Sequence, residues 1–448
     1  MIIPIILTIF SFVFAGWKVD TIGPCPTIHS YDIVVGKGRN DDTNRLYVST
    51  RYGGIYEWTR RGASWAMTTV KGSGIINLAT LELGCGRNDG TKRLYYSEFR
   101  DTGGLYEASW TGASWSISRI DSGVSSIGLI IGKARPDSIT RIYMNSAKTG
   151  IWEYTRNGAS WSKTKLSTDG GEGSPAIGDI RNDGMQRVAA YGRRLYELSW
   201  GGTKFDSVNI DTSTLWPDPI LIGQFHNDGK NRILANSNKG RIALSYSNGT
   251  WTRSSIDTTV QRGDILIAAL KADGKKRVYT NYTAQGTLKP AGPVNEFTWN
   301  NSSYDRSRVV DAVSGATASL VAGVGRNDGV MRMYAPHYIS GKIYEITNDT
   351  PYVESSSSSE KVNSLNHSIS IHSSFCARGN SLSFEYSSTL PCNFLITDIS
   401  GKVFAKGYLP SSQRKEQTIS VKTKSAGIYL LTLKNSIGET VIRKITLL

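Results

Sequence analysis

Three observations predict an all-β chain: a seven-bladed β-propeller closed by its own N-terminal strand, followed by a small C-terminal β-sandwich. The first is a recurring turn. Asp41, Asp89, Asp137, Asp183, Asp228, Asp273 and Asp328 follow one another at steps of 48, 48, 46, 45, 45 and 55 residues. Each precedes an arginine by four residues: Arg45, Arg93, Arg141, Arg187, Arg232, Arg277 and Arg332. A fixed period of this size belongs to propellers and solenoids. The second observation is the content of each period, four short β-rich runs between turn signals. The third is that the last copy lacks its fourth run, while a run of the right spacing stands alone near the N-terminus.

The copy from Leu81 to Ile120 shows the pattern. Leu81–Cys85 is apolar and leads into Arg87-Asn88-Asp89-Gly90, a tight-turn signal. Arg93–Tyr96 is the second strand, Gly103-Gly104 breaks the chain, Leu105–Trp110 is the third strand, and Trp115–Ile120 after Thr111-Gly112-Ala113 is the fourth. Six copies end in an aromatic with an apolar residue five positions on: Trp65/Val70, Trp115/Ile120, Trp161/Leu166, Phe205/Ile210, Trp251/Ile256 and Tyr304/Val309. The seventh ends at Ile343-Tyr344-Glu345 without one, and Trp17/Ile22 has the same spacing. The N-terminal strand is therefore expected to complete the last blade, because an open ring leaves a long unpaired sheet edge.

Domain boundaries follow from composition. Ile2–Ala15 is apolar but too short to span a bilayer, and Val13-Phe14-Ala15 before Gly16 suits cleavage of a signal peptide. No Lys or Arg precedes Lys18, and a buried N-terminal strand is the competing reading. Residues 1–15 are read as the signal peptide, 16–350 as the propeller, 351–361 as a serine-rich linker and 362–448 as the C-terminal domain. Cys376 and Cys392 lie close enough in sequence to bridge adjacent strands, which an oxidising exterior permits. Cys25 and Cys85 read equally as a pair or as two buried thiols. A formal net charge of +15 favours acidic partners, and export excludes nucleic acid. Plain solubility explains the same charge.

Three resemblances add expectations. The tail carries Asp398-x-x-Gly401-Lys402, Ala426-Gly427-Ile428-Tyr429 and a terminal Arg443-Lys444-Ile445-Thr446-Leu447-Leu448. In this order the motifs resemble the type A C-terminal sorting domain of the type IX secretion system. That implies a β-sandwich, passage through outer-membrane secretion machinery, and a secreted or surface-held protein of a Gram-negative bacterium. The repeat itself resembles the FG-GAP/VCBS propeller unit, whose loop usually binds calcium through converging oxygens. Here cations stand at ligand positions: Lys37, Arg39 and Arg45 in the first copy, Arg87 and Arg93 with Cys85 in the second, Arg181 and Arg187 beside a retained Asp179 in the fourth. No metal or cofactor is expected. The pairs Asp41/Arg45, Asp89/Arg93, Asp183/Arg187 and Asp328/Arg332 are expected to be structural, the guanidinium replacing the ion. The order Arg45-Leu46-Tyr47, Tyr56-Glu57, Gly62-Ala63-Ser64-Trp65 is also similar to the repeat of fungal fucose-binding propeller lectins, which hold sugar between blades with an arginine, an acid and an aromatic. It recurs at Arg93/Glu107/Trp115 and Arg141/Glu153/Trp161, and fails at Ile242-Ala243-Leu244. The alternative is that these aromatics are inter-blade core and the glutamates sheet-surface pairs.

Candidate ligand residues lie on the opposite rim, in loops joining second and third strands and in the connections between blades. They are Arg51, Arg100, Lys148, Arg194, Trp216, Arg262, His337 and Tyr338. The expected partner is an extracellular glycan or another acidic surface. No Gly-x-Ser-x-Gly elbow, phosphate loop or zinc motif appears, and five histidines are scattered. No catalytic residue is assigned; His337 with Tyr338 is the best-placed pair were one present. The reading is a monomeric, non-enzymatic binding propeller, with an interaction scaffold and a polysaccharide-active lyase or glycosidase as alternatives.

Overall fold

The computed structural model describes residues 16–447 apart from 27–29, 73, 75–77, 99–102, 125–127, 147, 172, 212–218, 259–262, 282–292, 311–318, 338–339, 354–368, 379–380, 389–391, 399–401, 411, 421–426 and 436–439. The signal-peptide segment, much of the linker, and most of the blade-six insertion therefore lie outside it. The chain divides into two compact units, Met1–Glu354 and Ser355–Leu448.

The first unit holds seven four-stranded antiparallel sheets. Blade 1 runs outward from the axis in sequence order: Ser30–Gly36, Arg45–Thr50, Ile55–Arg61 and Ser64–Lys71. Blades 2 to 6 repeat this order from inner strands Leu78–Gly84, Gly128–Gly132, Ala176–Gly178, Leu221–Gly223 and Ile265–Ala268. Blade 7 has Val321–Gly323, Arg332–Pro336 and Lys342–Asn348, and takes its outer strand from Trp17–Pro24. Each inner strand packs on the next, and the seventh packs on the first, so the ring is closed.

Size complementarity sets the spacing at the axis. Inner strands end in a small residue that receives an aliphatic side chain from the next blade. A Cβ on Gly36 would lie 2.5 Å from Leu83, on Gly132 2.8 Å from Ile177, on Gly178 2.6 Å from Ile222, and on Gly323 2.7 Å from Val35. In blade 6 the small residue is Ala268, and its neighbour in blade 7 shrinks to Ala322 within the same apolar cluster. One methyl is added and two or three are taken away, as close packing requires.

The closing strand pairs antiparallel with Lys342–Asn348, from Trp17 opposite Asn348 to Pro24 opposite Lys342. Gly16 and Asp349 exchange hydrogen bonds beyond it: the Asp349 N–H donates to Gly16 O at 2.8 Å, and the Gly16 N–H donates to Asp349 Oδ2 at 3.0 Å. The strand also joins both neighbours. Trp17 meets Tyr279 of blade 6 edge-on at 6.0 Å, and Ile22 packs with Trp58 of blade 1. Cys25, buried just beyond it, and Cys85 are separate free thiols, and burial pushes Cys25 up to about 11. The side chain of Cys376 lies outside the described residues.

The second unit has a four-stranded sheet of Val403–Leu409, Cys392–Asp398, Gly427–Asn435 and Thr440–Leu447, in that order across the sheet. Tyr386, Ile396, Leu409, Tyr429, Leu431 and Leu433 form its core. A three-stranded sheet, Ile369–Arg378, Ser381–Ser388 and Ser412–Ser420, completes it. The sequence reading missed this sheet; a strand such as Ser-Gln-Arg-Lys-Glu-Gln-Thr-Ile-Ser carries almost no apolar alternation.

Deleting residues 17–24 removes blade 7's outer strand and two inter-blade contacts. The truncated protein is expected to lose a single sharp thermal transition in calorimetry; a melt identical to that of the intact chain would contradict closure by this strand.

Candidate functional site

The repeated turn performs three tasks with three consecutive side-chain types. Its aspartate is gripped by the arginine four residues on. In all seven copies one terminal guanidinium nitrogen faces each carboxylate oxygen, at 2.5–2.9 Å. The same carboxylate accepts the N–H two residues on, as at Thr43 and Thr91. Such charge-assisted forks are the strong class of hydrogen bond. Arg93 holds Asp89 well below the usual carboxylate range, at about 2, and Asp183 and Asp228 are held likewise by Arg187 and Arg232.

The residue before the aspartate joins neighbouring blades. Asn40, Asn88, Asn182, Asn227 and Asn327 have φ of 57–61°, a left-handed conformation that asparagine tolerates. Each side-chain amide grips the peptide just before the next blade's arginine. Asn40 Oδ1 accepts the Lys92 N–H at 2.6 Å, and its Nδ2 donates to Lys92 O at 3.0 Å. The same exchange links Asn88 to Thr140, Asn182 to Asn231, Asn227 to Lys276 and Asn327 to Asn44.

The third task falls to a cation one residue earlier, which binds a buried glutamate on the third strand. Arg39 holds Glu57 (Nε to Oε2 2.9 Å, Nη2 to Oε1 2.6 Å), Arg87 holds Glu107, Arg135 holds Glu153, Arg181 holds Glu197, Lys271 holds Glu296 and Arg326 holds Glu345. Nε of the turn arginine lies 3.1–3.7 Å from the same glutamates. These carboxylates are at most 3% exposed, so two cations neutralise each inside the blade. Blade 5 drops both partners together. Ala243 replaces the glutamate and His226 the arginine, and burial beside Arg232 lowers the imidazole to about 4, leaving it neutral.

This second cation also reaches across the seam between blades. The Arg39 guanidinium lies 3.8 Å over the ring of Trp110 in blade 2, Arg135 lies 3.8 Å over Trp200 in blade 4, and Arg181 lies 4.6 Å over Tyr246 in blade 5. At the next seam neutral His226 stacks on Trp299 at 3.9 Å, with its Nε2 2.5 Å from Tyr304 Oη. Three seams thus present a guanidinium fixed over an aromatic face, with one edge on glutamate and its side chain 17–25% exposed. The guanidinium edge turned away from glutamate can donate to a sugar hydroxyl, and the aromatic beside it offers apolar surface to a sugar's C–H groups.

The arginine, acid and aromatic grouped by the sequence are therefore divided differently in space. Arg45 is committed to Asp41, and Trp65 packs into an apolar cluster shared by blades 7 and 1, which includes Tyr334 and Ile343. The seam uses Glu57 with Arg39, six residues before Arg45, and Trp110 from the following blade. The recurrence of a cation at that position (Arg39, Arg87, Arg135, Arg181, Lys271, Arg326) was the available signal.

On the opposite rim, Lys148 and Arg194 are exposed and Arg51 is half-buried. Arg100, Trp216, Arg262 and Tyr338 lie outside the described residues. His337 is only 2% exposed, and its Nδ1 accepts the Ser340 N–H at 2.9 Å, bracing its own loop. Buried carboxyls lie near the inner strands as well, and two of them, Asp32 and Glu82, sequence reasoning left unassigned. Asp32 accepts the Leu81 N–H of blade 2 at 2.9 Å and the Ser319 hydroxyl at 3.1 Å, and Asp264 accepts the Leu320 N–H of blade 7 at 2.5 Å. Burial, reinforced by Asp32, pushes Glu82 up to about 8 and Asp264 up to about 7. Among the described residues no group of three or more His, Cys, Asp or Glu is arranged to hold a metal.

Comparison with known proteins divides along the same two units. Residues 379–447 match the family described as the secretion system C-terminal sorting domain, so the tail is that of an exported protein. No curated protein matches the chain. Among solved structures, the chain is similar to BBS1N in complex with ARL6DN, at TM-score 0.50 and 10% identity, covering 76% of this chain and 99% of that one. It also resembles the Cps50 (Swd1) beta-propeller domain of Myceliophteria thermophila (TM-score 0.46, 10% identity, 74% and 99% covered). A further likeness is to the SapL1 lectin in complex with alpha methyl fucoside (TM-score 0.40, 16% identity, 64% and 98% covered). The first of these likenesses extends to the fold and no further.

The two carboxylate sets give opposite pH dependences. The turn aspartates, lowered to about 2, contribute stability present above the unfolded value of about 4 and lost as pH falls through 2. Glu82 and Asp264 are raised, so their contribution is complete below about 4 and is lost as pH rises through 7 to 8. Thermal melts of Glu82→Gln/Asp264→Asn should show a flattened decline between pH 4 and 8 and an unchanged acid limb. An alkaline limb as steep as in the parent protein would refute the assignment.

Proposed function

We propose that the protein is an exported, non-enzymatic carbohydrate-binding propeller that its sorting tail delivers through the type IX machinery to the cell surface or beyond. The observation that carries this reading is the seam geometry. At Arg39/Trp110, Arg135/Trp200 and Arg181/Tyr246 a guanidinium is held by a buried glutamate against an aromatic of the next blade. The fork costs little further ordering on binding, which is what pre-organisation contributes to affinity. Repetition around the ring suits a polymer or a clustered surface glycan, because several weak contacts then act together.

A second reading rests on the loop rim. Lys148, Arg193, Arg194 and Lys239 are exposed on consecutive blades 3, 4 and 5, a cationic arc facing away from the turns and suited to an acidic polysaccharide. Contacts of this kind weaken as salt rises.

A glycan array on the secreted protein tests both. Binding at the seams predicts retained glycans whose affinity drops at least about tenfold in Trp110→Ala/Trp200→Ala, the size expected for removing central aromatic anchors. Binding at the rim predicts acidic glycans lost on raising salt and insensitive to those two substitutions. An array with no retained glycan would exclude the carbohydrate reading.

A further inference from the structure

Five of the seven seams are fastened on the turn face by the asparagine clasp, and two are not. At the seam between blades 6 and 7 the asparagine is replaced by Ala272, which has no amide to offer. A different part of the chain occupies the place. Having left Lys342–Asn348, the last strand of the ring, the backbone crosses the turns of both blades. The Ala272 N–H donates to Thr350 O at 2.9 Å, the Tyr352 N–H to Leu270 O at 3.1 Å, and the Met331 N–H to Tyr352 O at 2.8 Å. Pro351 pairs with Lys271 of blade 6, and Val353 pairs with Val330 of blade 7.

The donor at Met331 identifies the substitution. Met331 immediately precedes Arg332, the position that Lys92, Thr140, Asn231, Lys276 and Asn44 hold in other blades. In those blades its N–H is taken by the asparagine Oδ1 of the preceding blade, and here it is taken by a main-chain carbonyl of the crossing segment. The Tyr352 ring lies over this turn, in ordinary van der Waals range (3.6 Å) of where a Cβ on Gly274 would stand.

We infer that residues 350–353 are a strap that closes the seam between blades 6 and 7 in place of the missing asparagine, so that the chain leading to the sorting tail is itself a fastening of the ring. The strap belongs to the propeller unit, which extends to Glu354. Any processing that releases the tail must leave Val353 in place if the ring is to stay as tight as before. The tether leaves the propeller on the turn face at blades 6 and 7.

Hydrogen exchange on the full-length protein tests the strap. Tyr352→Pro deletes the donor to Leu270 and is expected to speed exchange of the Ala272 and Met331 amides at least tenfold, while Lys92 and Lys276, clasped by asparagines, serve as unchanged internal controls. If that variant does not fold, replacing residues 350–353 with glycine and serine of equal length asks the same question without a proline. A protease site placed in the full-length chain within 355–359 supplies the complement, since cleavage there should leave both amides protected and the melting temperature unchanged. Unaltered exchange at Ala272 and Met331 in both strap variants would overturn the inference, as would their deprotection by a cut beyond residue 354.

Discussion

The propeller depends on a carboxylate buried between two cations. In six blades a glutamate with almost no exposure sits between a turn arginine and a second arginine or lysine, and the turn arginine in turn holds the turn aspartate. Each blade thereby carries its charges in neutralised sets, linking second strand, third strand and turn. Removing a single member would leave an uncompensated charge in a low-dielectric interior, a loss of about 3–5 kcal/mol. Blade 5 shows the permitted alternative, in which arginine and glutamate disappear together and Phe225, Leu234 and Ala243 pack apolar in the same region. Replacing a buried pair with packed hydrophobic groups is compatible with equal stability.

The exceptions to the repeat follow the same logic of compensation. Where the inner-strand glycine becomes Ala268, its neighbour becomes Ala322. Where the clasping asparagine becomes Ala272, the strap supplies the acceptor. Where it becomes Pro136, between blades 3 and 4, the opposite end of the seam is tied by Asn145, which donates to Tyr191 O at 2.7 Å and accepts the Gly171 N–H at 2.9 Å.

Much of the architecture was legible because it is periodic. The Asp-to-Arg spacing of four, the strand lengths and the orphaned Trp17/Ile22 spacing are local in sequence, and local signals survive without tertiary knowledge. The seam was legible only in part. Arg39 was visible as a cation where a calcium loop would have a carboxylate, but its partners are 18 and 71 residues away, on a third strand and on the next blade. Grouping Arg45, Glu57 and Trp65 by proximity did not find the aromatic that meets Arg39, because outer-strand aromatics such as Trp115, Trp161 and Phe205 pack on buried tyrosines of the preceding blade, while the third-strand Trp110 and Trp200 lie against the second cation. The strap was illegible for a further reason: its hydrogen bonds are made by the main chain and leave no side-chain pattern. Asp32 and Glu82 were passed over because single acids in apolar inner strands carry no motif.

The central claim is that the second cation and the buried glutamate act as one unit, and a double-mutant cycle at blade 1 addresses it directly. Glu57→Ala alone should cost about 3 kcal/mol in denaturant unfolding, because it strands Arg39, while Arg45 keeps Asp41. Adding Arg39→His, the pairing that blade 5 already uses, should restore at least about 1 kcal/mol, since residues in one ion-pair network are not additive. Additive losses, or a Glu57→Ala variant as stable as the parent, would contradict the account.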